Sequence, residues 1–333
     1  MNAIGLTPSV VYHKTHDWSL PDRRMDMYKR MLVPLDGSEV AEVVFAYAKE
    51  LSGRLDLDLT LLNVCTPEER ELLHMHQAYV ERMAETLRRQ SEEVQEKGGA
   101  QPGDKSVKAC GKVAVGYPAE EIVRYADENN IDLILMATHG RSGIGHWTMG
   151  SVADKVLRAS KKPVWLVRAG IPEEIVYDKW PRKTILVPLD GSELAESVLP
   201  HVEALAKQRG PETVDVVLLR VCEYPIVPLD YAEGVPIGWE KQMEKETARC
   251  REIAQQYLAV VERRFKDVGV TVKSEVLEGK PAEEIVDYAT KNPFNLIAMA
   301  THGRSGIGRW AYGSVAEKLV AGVTCPLFLV RQR

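Results

Sequence analysis

The sequence predicts an α/β protein of two tandem doubly wound domains, each a five-stranded parallel sheet of strand order 3-2-1-4-5 with helices on both faces. Two observations lead to this prediction. First, the chain of 333 residues repeats itself, since the segment LVPLDGSE at 32–39 recurs at 186–193. Second, short apolar runs alternate with stretches of helical periodicity in each copy, which is typical of a parallel sheet covered by helices.

The repeat divides the chain into four predicted parts. Residues 1–28 form an N-terminal extension without strong periodicity, and 29–168 form the first domain. A linker with two prolines covers 169–181, and the second domain covers 182–333. A chain of this length has room for two full hydrophobic cores.

Each copy contains five predicted strands and four predicted helices. In the first copy the strands are 30–35, 57–64, 107–115, 131–136 and 163–167, and the helices are 39–51, 68–97, 118–128 and 151–160. In the second copy the strands are 184–189, 214–221, 270–277, 296–299 and 326–330, and the helices are 193–207, 240–266, 281–290 and 314–321. Ligands of such sheets bind beyond the carboxyl ends of the strands where the winding reverses, which here predicts a crevice after strands one and four.

Composition and charge exclude several classes of function. The net charge of -5 gives no basic stripe, which predicts no nucleic-acid partner. No apolar run approaches the roughly 20 residues of a membrane span, and the N-terminus lacks the pattern of a secretory signal. The five cysteines form no C-x-x-C pair, so they are interpreted as reduced packing residues of a cytoplasmic protein without a metal site.

The sharpest repeat is Met136–Ala153, which matches Met299–Ala316 at all but three positions. Each copy leaves the fourth strand through a glycine-rich loop and reaches Gly-Ser at a helix start. Glycines allow close approach of an anion, and the first N–H groups of a helix lack internal partners, so the pattern predicts a phosphate site. Ser151 and Ser314 are expected to cap these helices or to bond a phosphate. The alternative is a purely structural cap and turn.

Asp and His residues beside this loop have competing interpretations. Asp36 and Asp190 each precede a glycine, where aspartate forms turns, but their place in the predicted crevice favours contact with a ribose or base. His139 and His302 lack companions at metal-ligand spacing, so structural hydrogen bonding is preferred over catalysis or metal binding. No catalytic group is assigned.

Three motifs together resemble the universal stress protein family. They are Val-Pro-Leu-Asp-Gly-Ser, Gly-x-Pro-Ala-Glu-Glu-Ile-Val from 116 and 279, and Thr-His-Gly-Arg-Ser-Gly followed by Gly-Ser-Val-Ala. The resemblance covers both repeats and implies the same five-stranded fold. It also implies ATP binding through Gly-x-x-Gly, nine residues, then Gly-Ser or Gly-Thr. This pattern falls on Ala137, Gly140, Gly150 and Ser151 and on Ala300, Gly303, Gly313 and Ser314, with alanine in place of the first glycine in both copies.

The resemblance further implies adenosine contacts from Asp36 and the backbone of Val64, and from Asp190 and Val221, with Pro34, Met136, Pro188 and Met299 lining the pockets. Neighbouring candidates for the first site are Leu35, His139, Arg141, Gly143 and Val152, and those for the second are Leu189, His302, Arg304, Gly306 and Val315. Because His146 is replaced by Arg309, the second site is predicted to favour a triphosphate.

The leading hypothesis is a stress-response or signalling protein that binds ATP or another adenine nucleotide in each domain, with Mg²⁺ accompanying the phosphates. Its role is then regulatory, exerted through a protein partner that the sequence does not name. Slow ATP hydrolysis and a nucleotide-free interaction module remain as alternatives. The resemblance implies dimers joined through fifth strands, which a tandem chain can form internally between its own domains; a homodimer of chains stays open.

Overall fold

The computed structural model describes residues 27–97, 107–139, 149–171, 182–223, 239–301 and 313–331. Within these ranges, ten strands form one sheet of order β3-β2-β1-β4-β5-β10-β9-β6-β7-β8. The strands of the first half are β1 (Arg30–Leu35), β2 (Asp58–Cys65), β3 (Ala109–Val115), β4 (Leu133–Ala137) and β5 (Val164–Val167). Those of the second half are β6 (Lys183–Pro188), β7 (Val214–Cys222), β8 (Thr271–Glu278), β9 (Leu296–Ala300) and β10 (Leu327–Val330).

The predicted strand order 3-2-1-4-5 is confirmed in each half. Neighbouring strands within a half are parallel, with β1 between β2 and β4, and β6 between β7 and β9. The halves meet along β5 and β10, which pair antiparallel with Trp165 opposite Phe328. Each of these strands would otherwise be an open edge, so the pairing satisfies its backbone groups.

Helices cover both faces of the sheet. On one face lie α1 (Glu39–Glu42), α2 (Phe45–Leu55), α3 (Leu73–Lys97), α6 (Glu193–Glu196), α7 (Leu199–Arg209) and α8 (Trp239–Asp267). On the other lie α4 (Pro118–Glu128), α5 (Ser151–Ala159), α9 (Pro281–Lys291) and α10 (Ser314–Gly322). Each face of the sheet has its own core: the first core lies between the sheet and the helices α1, α2, α3, α6, α7 and α8, and the second lies between the sheet and α4, α5, α9 and α10. Since strand side chains alternate, Met31 and Val33 of β1 enter the first core while Leu32 enters the second.

Several predicted boundaries differ from those observed. The predicted helices 39–51 and 193–207 are each divided in two, as α1 and α2 and as α6 and α7. The segment before α3 is a 3₁₀ turn, Pro67–Leu72, rather than the first turn of the long helix. Thr66 and Glu69 form a capping box there, which satisfies local backbone N–H groups. The strand β3 begins at Ala109 rather than at residue 107.

The junction between the halves is built from apolar and ionic contacts. The rings of Trp165 and Phe328 meet edge to face with centroids 5.8 Å apart. The Glu50 carboxylate on α2 pairs with the Arg209 guanidinium on α7 at 3.1 Å, and both side chains are buried. The Tyr28 hydroxyl lies 2.5 Å from Nδ1 of His201. Both cores therefore run through the two halves without a break.

Candidate functional site

The winding order predicts a crevice at the carboxyl ends of two neighbouring strands in each half. In the first half Leu32 of β1 is in register with Ile134 of β4, so the chain leaves both strands at one edge of the sheet. In the second half Leu186 of β6 is in register with Ile297 of β9. The Asp-Gly-Ser turns and the Gly-Ser helix starts follow these strands, which brings the two repeated motifs of each domain to one crevice.

The turn after β1 is held by its own side chains. One carboxylate oxygen of Asp36 accepts hydrogen bonds from the backbone N–H of Ser38 at 3.0 Å and from its hydroxyl at 2.6 Å. Gly37 between them has φ of +78°, a conformation that glycine adopts without strain. The Ser38 hydroxyl in turn accepts from the N–H of Ala41 and caps α1. The aspartate is thus already engaged in fixing the turn.

The second half repeats this turn closely. Asp190 accepts from the N–H of Ser192 at 2.9 Å and from its hydroxyl at 2.6 Å, and Gly191 has φ of +82°. The interpretation of these aspartates as turn formers is therefore correct. A ribose or base contact from the same carboxylates stays a prediction.

The starts of α5 and α10 differ from the prediction in one respect. The N-cap residues are Gly150 and Gly313, and glycine has no side chain with which to cap a helix. The prediction that Ser151 and Ser314 cap the helices is wrong, because both already occupy the first helical position. Both serines are exposed there. An exposed serine at the first turn of an uncapped helix presents its hydroxyl and N–H to an anion.

Gly150 has little room for a side chain. A Cβ at this position would lie 3.0 Å from the carbonyl oxygen of Thr138, which is closer than side-chain carbons normally approach backbone oxygen. The N–H of Gly150 donates to that same carbonyl at 2.9 Å. The helix start is thereby held against the end of β4.

The alanines that replace the first motif glycine introduce no backbone strain. Ala137 and Ala300 are the last residues of β4 and β9, and neither is among the described non-glycine residues with positive φ. Both are buried in the strands, and the Ala137 side chain packs in the first core together with Val33 and Leu35. The methyl group of Ala137 therefore lies among apolar side chains.

An apolar wall extends from each crevice into the second core. In the first half Val64, Met136 and Val152 belong to this core, and in the second half Val221, Met299 and Val315 do. Leu35 and Leu189 are buried in the first core, so their side chains serve packing and only their backbone can reach a ligand. Pro34 lies within β1 opposite Leu62, and Pro188 is buried in β6 opposite Leu219.

His139 follows β4 and its Nδ1 lies 3.0 Å from the hydroxyl of Thr138. The remaining candidates of the glycine loops lie outside the described residues. These are Gly140, Arg141, Gly143, His302, Gly303, Arg304 and Gly306, together with Arg309, on which the predicted preference of the second site depends. In the part of the chain that the structure describes, no group of three or more His, Cys, Asp or Glu side chains is arranged to hold a metal ion.

The structure adds two residues that the sequence interpretation missed, one on the second strand of each half. Asn63 is buried, and its side-chain N–H donates to the carbonyl of Leu35 at 3.0 Å, tying β2 to the end of β1. The equivalent residue of the second half is Arg220, which is 7% exposed. Alignment of the repeats at Val64 and Val221 pairs these two positions, and the change from amide to guanidinium is the signal that could have drawn attention to them.

Arg220 lies beneath the turn that carries Asp190. A Cβ on Gly191 would lie 3.0 Å from one terminal nitrogen of Arg220, and this nitrogen is buried without a hydrogen-bond partner in the described structure. The guanidinium stacks over the ring of Tyr257 at 5.1 Å from its centroid. An aromatic face compensates a buried cation only in part. At equivalent positions, the second domain therefore has a positive charge where the first has an amide.

The cysteines are free thiols. Burial and a hydrogen bond with Cys250 raise the pKa of Cys222 to about 12, and burial raises the pKa of Cys325 to about 12. Both thiols therefore stay protonated at neutral pH, which agrees with a packing role.

The fold and the repeated motifs define a class: tandem doubly wound α/β domains with a helix start preceded by glycine at each switch point. Comparison with known proteins gives the family. A profile of the universal stress protein family matches residues 27–168 and again 181–331. This chain belongs to the universal stress protein family.

Individual relatives agree with this assignment. A universal stress protein of Methanocaldococcus jannaschii is 33% identical over 150 residues, which cover 45% of this chain and 82% of that protein. One from Thermus aquaticus is 32% identical over 149 residues, covering 45% of this chain and 98% of that protein. The crystal structure of a universal stress protein from Archaeoglobus fulgidus shares the fold over 91% of this chain and 98% of its own, with a TM-score of 0.63 and 19% identity.

None of the described helices combines the length and the apolar character needed to cross a membrane.

Proposed function

We propose that each domain binds one adenine nucleotide, with ATP as the ligand and Mg²⁺ accompanying its phosphates, and that occupancy regulates the protein. One observation carries the proposal. In both domains an uncapped helix start, at Ser151 or Ser314, follows a strand whose neighbour ends in an aspartate turn. Phosphates then lie at the helix N-terminus, and the adenosine lies toward Asp36 or Asp190 and the apolar wall.

The choice of adenine rests on the motif that resembles the ATP-binding pattern of the family. The nine-residue spacing before Gly-Ser is kept in both copies. The alanine that replaces the first motif glycine is compatible with the proposal, because the methyl group of Ala137 packs among the side chains of the first core. Val64 and Val221, at the ends of their strands, supply the predicted backbone contacts to the base.

A regulatory role is favoured over hydrolysis by the state of the aspartates. The carboxylates of Asp36 and Asp190 each hold two hydrogen bonds from a serine of their own turn. These bonds fix the turn through one carboxylate oxygen, and the proposal places the aspartates at the adenosine rather than at the phosphates, where an attacking water would have to lose its proton. We therefore expect little hydrolysis of bound ATP.

The decisive experiment is to denature the purified full chain and to measure the released small molecules by mass spectrometry, together with the thermal shift on adding Mg-ATP. About two adenine nucleotides per chain are expected at saturation, and ligand at about 100 times Kd is expected to stabilise each site by about 2.7 kcal/mol.

The matched variants are Ser151→Asp and Ser314→Asp. Aspartate suits the first turn of a helix, so each variant folds, but its charge repels a phosphate. Each is expected to remove one bound nucleotide, and the double variant both. Thr86→Asp, on the exposed face of α3, adds the same charge away from the crevices and leaves binding intact. Nucleotide binding unchanged in the double variant contradicts the proposed site.

We also propose that the pairing of β5 with β10 holds the two domains together in solution, in place of a dimer of single-domain chains. The antiparallel register and the buried ion pair between Glu50 and Arg209 support it. Small-angle scattering of the full chain tests the arrangement, since two domains moving independently would give a larger radius of gyration than one continuous sheet.

A further inference from the structure

Two arginines cross from the last strand of one domain to a helix of the other. Arg168 follows β5, and its guanidinium donates to the carbonyl of Ala321 at 3.3 Å and to that of Val323 at 3.5 Å. Arg331 follows β10, and its guanidinium donates to the carbonyl of Arg158. The accepting carbonyls lie at the carboxyl ends of α10 and α5. The two contacts are equivalent under the repeat, although each is made by different segments of the chain.

The helices that receive these arginines are the ones that begin at the candidate phosphate sites. Both α5 and α10 are only nine residues long, so their two ends are close to each other. The last carbonyls of a helix lack internal partners and carry partial negative charge, which a guanidinium stabilises. The first N–H groups carry the complementary positive charge. Each helix thus has the other domain's arginine at one end and its own anion site at the other.

Backbone hydrogen bonds continue this connection on the strand side. In the first domain the N–H of Gly150 donates to the carbonyl of Thr138 at 2.9 Å, and the N–H of Thr138 donates to the carbonyl of Val167 at 2.8 Å. Val167 is the residue before Arg168. The start of α5 is therefore tied to the strand end that carries the arginine for α10.

The second domain repeats the same steps. The N–H of Gly313 donates to the carbonyl of Thr301 at 2.6 Å, and the N–H of Thr301 donates to the carbonyl of Val330 at 2.8 Å. Val330 precedes Arg331, whose guanidinium returns to the end of α5. The hydrogen bonds and the two helices form a closed circuit that passes through both candidate sites and crosses the domain junction twice.

We propose that Arg168 and Arg331 are positioning residues that act across the junction, Arg331 on the anion site of the first domain and Arg168 on that of the second. Neither touches the ligand. Each holds the carboxyl end of a short helix whose amino end receives the phosphates of a nucleotide. The inference rests on the proposed function, because it concerns the same two sites. It goes further in making each domain's site depend on a residue of the other domain.

The first test measures ATP affinity in full-length chains with one site disabled. In the Ser314→Asp background only the first site remains, and Arg331→Gln is expected to weaken it about fivefold. In the Ser151→Asp background only the second site remains, and Arg168→Gln is expected to weaken that site by a similar factor. Arg331→Lys keeps the charge and is expected to recover affinity to within about twofold of the parent.

Arg124→Gln is the matched control, since Arg124 is exposed and its ion pairs within the described residues are with Glu121 and Glu128 of its own helix. It should change neither site. A merely structural role for the crossing arginines would weaken the remaining site by a similar factor whichever arginine is changed, so Arg168→Gln would act like Arg331→Gln in the Ser314→Asp background. That outcome, an effect on the arginine's own domain, or no effect at all would overturn the proposal.

A second measurement separates this inference from the proposed function. Amide hydrogen exchange of the ligand-free chain should quicken across α5 in Arg331→Gln and across α10 in Arg168→Gln, with the other helix unchanged. This crosswise pattern in a chain that binds no adenine nucleotide overturns the proposed function and leaves the positioning role standing. Nucleotide binding without the crosswise pattern overturns the positioning role alone.

Discussion

The two domains share their crevice frame but differ in the residue that lies beneath it. The serine-bound aspartate turn and the helix start after glycine make equivalent hydrogen bonds in the two domains. On the neighbouring strand, however, a buried amide that donates to the carbonyl of Leu35, Asn63, corresponds to a buried arginine, Arg220. Duplication has thus kept the backbone geometry of the crevice and changed its charge. The two sites are expected to differ in ligand preference more than in shape.

The junction is also asymmetric. Under the repeat Glu50 corresponds to Ala204 and Arg209 corresponds to Leu55, so the buried ion pair occurs on one side only. Gln208 strengthens the same side by donating to the carbonyls of Leu55 and Tyr28. The symmetric contacts of the junction are those of Arg168 and Arg331. The asymmetric ones are the contacts that fix how α2 and α7 pack.

The largest effect is expected from breaking the asymmetric ion pair. Glu50→Ala leaves the buried Arg209 guanidinium without this carboxylate and should cost about 3–5 kcal/mol in the free energy of unfolding. Denaturant titration measures it. Glu85→Ala, which removes exposed ion pairs on α3, is the control and should change stability little. Equal losses of unfolding free energy in the two variants would mean that the buried junction pair stabilises the protein no more than exposed pairs do.

Removing the charge that distinguishes the second crevice should act in the opposite direction. Arg220→Met replaces a buried guanidinium that has an unpartnered nitrogen with an apolar chain over Tyr257. Removing a buried guanidinium relieves its desolvation cost, so the ligand-free variant should unfold at equal or higher denaturant concentration. Asn63→Leu in the first crevice is the comparison, and it should destabilise because the carbonyl of Leu35 loses its donor. A marked loss of stability in Arg220→Met would contradict this reading.

The pH dependence of stability provides a test of the junction. Burial, and then the Asp132 carboxylate, hold the pKa of Tyr28 well above its usual range. The contribution of neutral Tyr28 to the free energy of unfolding is intact below about pH 10, where an unfolded tyrosine is also neutral. It is lost as the pH rises further, at up to about 1.4 kcal/mol per pH unit. Tyr28→Phe should remove this alkaline loss.

The control for that measurement is Tyr117→Phe, since Tyr117 is exposed. It should leave the alkaline slope of stability unchanged. The residue equivalent to Tyr28 in the second domain is Arg182, which is exposed and pairs with Asp215. The pH effect therefore belongs to the first side of the junction, and an unchanged slope in Tyr28→Phe would refute the assignment.

The smallest effect is expected from restoring the motif glycine. Ala137→Gly removes a buried methyl group and adds backbone freedom, which should cost about 1 kcal/mol. Because the methyl packs in the first core, ATP affinity of the first site should stay within about twofold. Ala300→Gly is the parallel change in the second site. A large gain in affinity from either would show that alanine narrows the crevice.

Much of the fold follows from local features of the sequence. The strand order could be predicted because each strand is a short apolar run and each connection carries helical periodicity, so right-handed crossovers leave few topologies. The Asp-Gly-Ser turns were equally readable, since aspartate, glycine and serine form such turns through bonds within three residues. The assignment of caps to Ser151 and Ser314 failed because one position along the chain decides which residue leaves the helix, and the close approach of Gly150 to Thr138 is not visible in sequence.

The sequence by itself determined the duplication and the doubly wound class of each half, because these depend on periodicity and on turns between near neighbours. Tertiary structure alone decided that Glu50 meets Arg209, that Arg220 lies under Gly191, and that Arg168 and Arg331 reach the helices of the opposite domain. Those contacts join residues far apart in the chain. Their existence depends on how two sheets align along β5 and β10, which no local pattern encodes.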